Sequence, residues 1–152
     1  MPFKIRPTLI VLGGGFLFCL DQTLKWLSLN TWGSRHLLNE YLGWRPFINK
    51  DAAFGAPLPN IFVIILAVLI LSLIVCLLFR ALEGAGGAPL VLAYSFVFFG
   101  GLSNLLDRLI TGATTDYFLV FTAIINLADI MIAAGLITLL VAYKKHLHYN
   151  NF

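Results

Sequence analysis

The chain has 152 residues, 60% of them hydrophobic and only 11% charged, whereas a soluble domain carries roughly 25% charged residues. A mean hydropathy of +0.92 and a net charge of +3 exclude an ordinary soluble globule. With no basic cluster interleaved with aromatics, no nucleic-acid partner is expected. The composition points instead to one integral membrane domain over residues 1–152.

The first apolar run covers about Thr8–Leu29, and a bilayer needs about 20 such residues. Lys4 and Arg6 precede it as they would in a secretory leader. Cleavage sites require small residues just before the cut, and Phe18 before Cys19 is large, so this segment reads as a retained span. Near its end lie Asp21 and Lys25, spaced i,i+4 with the acid first, the favourable order for a helical ion pair. Such a pair makes both charges tolerable in lipid and can brace a neighbouring site.

The loop over residues 30–59 contains Trp32, Tyr41, Trp44 and Phe47, types that suit the interfacial aromatic belt. Leu42–Asn49 is expected to be extended, and Asn49-Lys50-Asp51 reads as a turn. Ala52-Ala53-Phe54-Gly55 offers small residues for close packing. The second span, about Asn60–Phe79, contains no charge, and Glu83–Gly87 is a Gly-rich connector.

The third span runs from about Ala88 to Ile110. Gly100 and Gly101 permit close helix approach. One turn later come Asn104, Asp107 and Arg108, at spacings that let all three face one cleft. They suit either an Asp107–Arg108 pair closing the helix end, or Arg108 and Asn104 holding substrate carbonyls. Asp116 follows in a short loop. The fourth span, about Thr122–Tyr143, places Asp129 some two turns below its outer end. Asn126 lies three residues earlier and can orient Asp129.

Basic residues favour the cytoplasmic side. With four spans, Lys4, Arg6, Arg80, Lys144 and Lys145 share one side, against Arg35, Arg45 and Lys50 on the other. Both termini are therefore expected in the cytoplasm. Asp21, Asp107, Asp116 and Asp129, four of the seven acidic residues, then converge on the outer leaflet. A charge at mid-bilayer costs about 2.5–3.5 kcal/mol on insertion scales, so such residues mark function.

Two carboxylates held a few ångströms apart share a proton. The ionised one can activate water while the protonated one polarises a carbonyl. Asp116 and Asp129 are the candidate pair, for direct hydrolysis of a peptide at the membrane surface. His36, His146 and His148 fall away from the carboxylates of the apolar runs, which disfavours a His-activated Ser or Cys. Cys19 and Cys76 sit at different depths, so no disulfide is expected, and no Cys/His spacing matches a metal site. The rival is a small proton-coupled transporter or channel, which also uses intramembrane Asp, Arg and Lys but is expected to be polar through both leaflets. A catalytically dead relative that only binds lipid-modified peptides is a third option; the presence of both aspartates gives it no support.

Five motifs in order complete the picture: Asp21-Gln22-x-x-Lys25, Asn49-x-x-Ala52-Ala53-Phe54-Gly55, Gly100/Gly101 with Asn104-x-x-Asp107-Arg108, Asp116-Tyr117, and Asn126-x-Ala128-Asp129. With these the chain resembles the bacterial lipoprotein signal peptidases (signal peptidase II) over nearly its whole length. The resemblance implies an all-α membrane protein of four transmembrane helices with a small extracytoplasmic β-cradle. It implies an aspartic endopeptidase of the cytoplasmic (inner) membrane that cuts prolipoproteins just before a diacylglyceryl-cysteine. The catalytic pair would be Asp116 and Asp129, supported by Asp21, Lys25, Asn49, Asn104, Asp107, Arg108 and Asn126. No metal or cofactor is implied; membrane lipid and the cyclic-peptide inhibitor globomycin are implied partners. The chain departs from the family pattern at Asp51, where Gly is usual, at Ile125 and Ile130, and in a short interval between Asp116 and Asp129.

Overall fold

The computed structural model describes residues 6–39, 41–51, 58–84 and 87–149. Lys4, the segment 52–55 and the side chains of Arg35, His36, Lys145, His146 and His148 lie outside the described residues. Among the described residues, four helices are long and apolar enough to cross a membrane: α1 (Pro7–Leu27), α2 (Asn60–Leu82), α3 (Gly87–Thr111) and α4 (Leu127–Tyr149). Four strands accompany them: β1 (Arg35–Asn39), β2 (Leu42–Asn49), β3 (Thr114–Val120) and β4 (Ala123–Ile125). They pair antiparallel in the order β1-β2-β3-β4. Four helices with a small sheet is the architecture expected from the sequence.

Helix α3 is the hub, packed against each of the other three helices. Where it meets α4, side chains are missing by design of the sequence. A Cβ on Gly100 would lie 2.6 Å from the Ala128 carbonyl oxygen, and one on Gly135 would lie 2.8 Å from that of Ala93. Small residues thus let the two backbones touch, which is how helices associate where no hydrophobic effect drives them together. Gly101 instead faces Leu71 of α2. Helix α2 turns large apolar side chains such as Phe62, Leu69 and Leu73 outward, where lipid replaces water as the solvent.

The helix ends follow local chemistry. Pro7 stands at the start of α1, where its missing N–H is no loss. Beyond Leu27 the helix widens into one π-helical turn, Ser28–Trp32, and Gly33 stops it at φ +61°. Gly112, at φ +78°, stops α3, and its N–H donates to the Arg108 carbonyl at 3.1 Å, the usual left-handed glycine cap. The chain then runs straight into β3, rich in Thr, Tyr, Phe, Leu and Val, types that favour strands.

The largest correction concerns the start of the fourth helix. It begins at Leu127 rather than near Thr122, because Ala123–Ile125 form β4 and pair with Phe118–Val120. Asp129 therefore sits in the first turn of α4, not two turns down. Tyr117–Ile125 is apolar apart from Thr122, and hydropathy alone cannot separate a buried strand from a span. Leu42–Asn49 is extended as expected, and its end pairs with the start of β3, Asn49 opposite Thr114. The Asp51 N–H donates to the Asn49 side-chain oxygen at 3.1 Å, so the expected turn is an Asx turn.

Candidate active site

The first turn of α4 is the part around which the polar residues gather. Every helix begins with backbone N–H groups that have no partner inside the helix. Here three consecutive ones are taken by side chains. Leu127 N–H donates to the Tyr117 hydroxyl at 3.0 Å, Ala128 N–H to Asp21 Oδ1 at 3.2 Å, and Asp129 N–H to Asn126 Oδ1 at 2.8 Å. The Asn126 N–H donates back to Asp129 Oδ2 at 3.2 Å. This reciprocal arrangement is a capping box written with Asn and Asp. The partial positive charge of the helix N-terminus also suits a cluster of carboxylates.

Asp116 and Asp129 meet across Asn126. The Asn126 amide donates to Asp116 Oδ1 at 2.6 Å, while its own oxygen receives the Asp129 N–H. Asn49 donates to Asp116 Oδ2 at 3.0 Å and Asn104 to Asp129 Oδ1 at 2.9 Å. Each carboxylate oxygen thus accepts one N–H, which fixes both groups in orientation. Asp116 and Asn126 are buried, whereas Asp129 is half-buried. Burial, more than the nearby Asp129 charge, raises the Asp116 carboxyl from its usual 3.8 to about 6; the bonds from Asn49 and Asn126 pull it the other way.

Behind the pair lies a second layer centred on Lys25. Its ammonium touches Asp21 Oδ2 at 2.9 Å and Asp107 Oδ2 at 3.0 Å. It also donates to Asn104 Oδ1 at 3.0 Å and to the Ser103 hydroxyl at 3.2 Å. Ser103 in turn donates to Asp21 Oδ2 at 2.6 Å. Asp107 Oδ2 accepts the Thr115 N–H at 2.9 Å, locking the end of α3 to the start of β3. A buried charge survives only when paired and hydrogen-bonded, and one cation here serves two acids.

The Asp21–Lys25 pair is present as expected, but Asp107 and Arg108 do not pair with each other. Successive residues on a helix point about 100° apart, so Asp107 turns to Lys25. Arg108 turns to α2 and the outer loop, donating to Asn60 Oδ1 at 3.2 Å and to the Asp51 carbonyl. Asn104 is engaged with Lys25, Asn126 and Asp129.

Sequence reasoning gave no role to Gln22, Ser103 and Tyr117. Gln22 donates to Ser103 Oγ at 2.8 Å and to Asp107 Oδ1 at 3.1 Å. Ser103 was legible as the residue one position before Asn104 on an apolar helix, where any polar group needs a partner. Nothing in the sequence signalled the reach of Tyr117 to Asp21.

Comparison with known proteins bears on the family and the fold. The family described as "Signal peptidase (SPase) II" matches residues 14–144. A lipoprotein signal peptidase of Serratia marcescens is 29% identical over 144 residues, covering 87% of this chain and 82% of the relative. Two solved structures of bacterial membrane enzymes, both obtained by the in meso method, are each 25% identical to it. The first has a TM-score of 0.78 and covers 91% of this chain and 87% of the other. The second has a TM-score of 0.73, with 90% and 91% covered. With the matched region running from α1 to the far end of α4, the chain belongs to the signal peptidase II family.

Proposed function

We propose that this multi-pass membrane protease is an aspartic endopeptidase working through Asp116 and Asp129. It removes signal peptides from prolipoproteins, and cleaves just before a diacylglyceryl-modified cysteine. The observation that carries the assignment is the Asn126 bridge, which bonds to both carboxyl groups at once. Asp116, with its proton held up to about pH 6, donates to the scissile carbonyl. Asp129 takes a proton from the attacking water. The tetrahedral intermediate then collapses as the leaving amine is protonated, and no acyl-enzyme forms.

The other site residues act through these two. Asn49, Asn104 and Asn126 orient the carboxyls, and Lys25 offsets the charge of Asp21 and Asp107 behind them. Among the described residues Arg108 donates only to Asn60 and the Asp51 carbonyl, and its guanidinium at the end of α3 suits a substrate carbonyl. The pair faces the outer side of the cytoplasmic membrane with both termini inside, and globomycin and membrane lipid are its expected further partners. The sequence gives a proton-coupled transporter no acidic or basic residue in the inner parts of α2 and α3, apart from Arg80 near the end of α2.

The test is cleavage of a diacylglyceryl-modified precursor by the full chain, with and without globomycin. Wild type should cleave, globomycin should block it, and Asp129→Asn should lose at least about 10³-fold in turnover while still inserting. Substantial turnover by Asp129→Asn removes the carboxylate pair, and equal cleavage of unmodified precursor removes the lipid requirement.

A further inference from the structure

Tyr117 stands next to Asp116 on β3, and both reach the first turn of α4. Asp116 does so through Asn126, and Tyr117 through its hydroxyl. That hydroxyl is used twice. It accepts the Leu127 N–H at 3.0 Å and donates to Asp21 Oδ1 at 3.0 Å. The same Asp21 oxygen accepts the next backbone donor, Ala128 N–H, at 3.2 Å. Asp21 is itself fixed on α1 by Lys25 and Ser103.

The ring is equally constrained. Tyr117 is 2% exposed, and its ring stacks on Trp44 with centroids 6.0 Å apart and planes 29° apart. Trp44 rests in turn on Trp32 at 4.8 Å. Burial, followed by the adjacent Asp21 charge, pushes the phenol well above its usual 10.0. It is thus an O–H donor at any working pH, as the two-way bond requires.

We infer that Tyr117 is a positioning residue for the reaction: its hydroxyl, locked to Asp21, sets the N-terminus of α4 so that Asp129 stays in register with Asp116. This rests on the assignment of those two aspartates as the catalytic pair. The Asn126 cap holds the Asp129 N–H and Asp21 holds the Ala128 N–H, while the Leu127 N–H is held by Tyr117. Without Tyr117 the first turn can tilt about its cap, and a displacement of about 1 Å at a reacting group can cost about 10²-fold in rate.

The experiment uses Tyr117→Phe in the full chain, which removes one oxygen and keeps the stacked ring. Turnover of a diacylglyceryl-modified precursor is measured together with amide hydrogen exchange at Leu127 and Ala128. The expected result is a fall of about tenfold or more in kcat, with KM within about twofold, and faster exchange that is greatest at Leu127, since the Ala128 N–H keeps its Asp21 acceptor. Leu78→Ala, in the apolar cluster with Ala81 and Val91, serves as a control. It should lower stability without that kcat-specific loss.

Wild-type kcat in Tyr117→Phe, or a loss matching that of Leu78→Ala at equal stability, overturns the inference. A wild-type chain that fails to cleave overturns the protease assignment instead, and the exchange measurement then still decides the role of Tyr117. If Tyr117→Phe does not fold, exchange in the wild type decides: Leu127 and Ala128 amides must be as protected as the next turn of α4, and rapid exchange there removes the proposed lock.

Discussion

Replacing Asp116 by Asn separates its chemistry from its effect on stability. The group is buried, and its carboxyl is raised from 3.8 to about 6. The folded protein therefore holds this proton more tightly than the unfolded chain does. Below pH 3.8 both states are protonated and ionisation contributes nothing. Between 3.8 and about 6 the unfolded chain loses its proton first, so stability falls as pH rises. Above about 6 the full penalty is present, about 3 kcal/mol at 1.36 kcal/mol for each tenfold step. Asp116→Asn never carries this penalty. Its midpoint relative to wild type should therefore climb by roughly 6–12 °C between pH 4 and pH 8, at 2–4 °C per kcal/mol.

The lost acceptor for Asn49 or Asn126 lowers the variant by about 1 kcal/mol, but equally at all pH values. Thermal unfolding in detergent micelles across that range measures the climb, and precursor cleavage measures activity. The variant should be more stable at pH 8 and inactive. In the free wild-type enzyme kcat/KM should decline above about pH 6, as the pair gives up its shared proton. A pH-independent difference in midpoint, or turnover above about one-hundredth of wild type, would refute the assignment of a buried proton to Asp116.

Two other changes probe the scaffold. Lys25→Met leaves Asp21 and Asp107 buried without their common cation, an expected loss of about 3–5 kcal/mol. Adding Asp21→Asn should recover part of it, as read from unfolding midpoints. Gly100→Ala drives a methyl group into the Ala128 carbonyl oxygen, 2.6 Å away, and into Ile132 at 2.9 Å. Forced overpacking of this kind costs about 1–3 kcal/mol. Because Ala128 adjoins Asp129, turnover should fall with stability in the same preparation.

Much of this was legible in the residues. Spans were marked by length and apolarity, and the four aspartates by their cost in lipid. The Asp21–Lys25 pair followed from spacing on one helix. What was not legible depends on contacts between distant segments. The strand Ala123–Ile125 has the composition of a span, and only its pairing with β3 reveals it. Asp107 chose Lys25 over its sequence neighbour Arg108 because helical geometry turns adjacent side chains apart, and its partner lies on another helix. Tyr117 reads as one more aromatic in an apolar run until Asp21, 96 positions away, comes to meet its hydroxyl.

The cap on α4 bears on how the protein is made. Its three donors are held by Asp21 from α1, Tyr117 from β3 and Asn126 beside the helix itself. Helices α1 and α4 must therefore both be in place before Asp129 is set. A nascent chain that has inserted only three helices carries Asp116 without its counterpart. On the proposed assignment, the carboxylate pair thus stays incomplete until α4 has inserted.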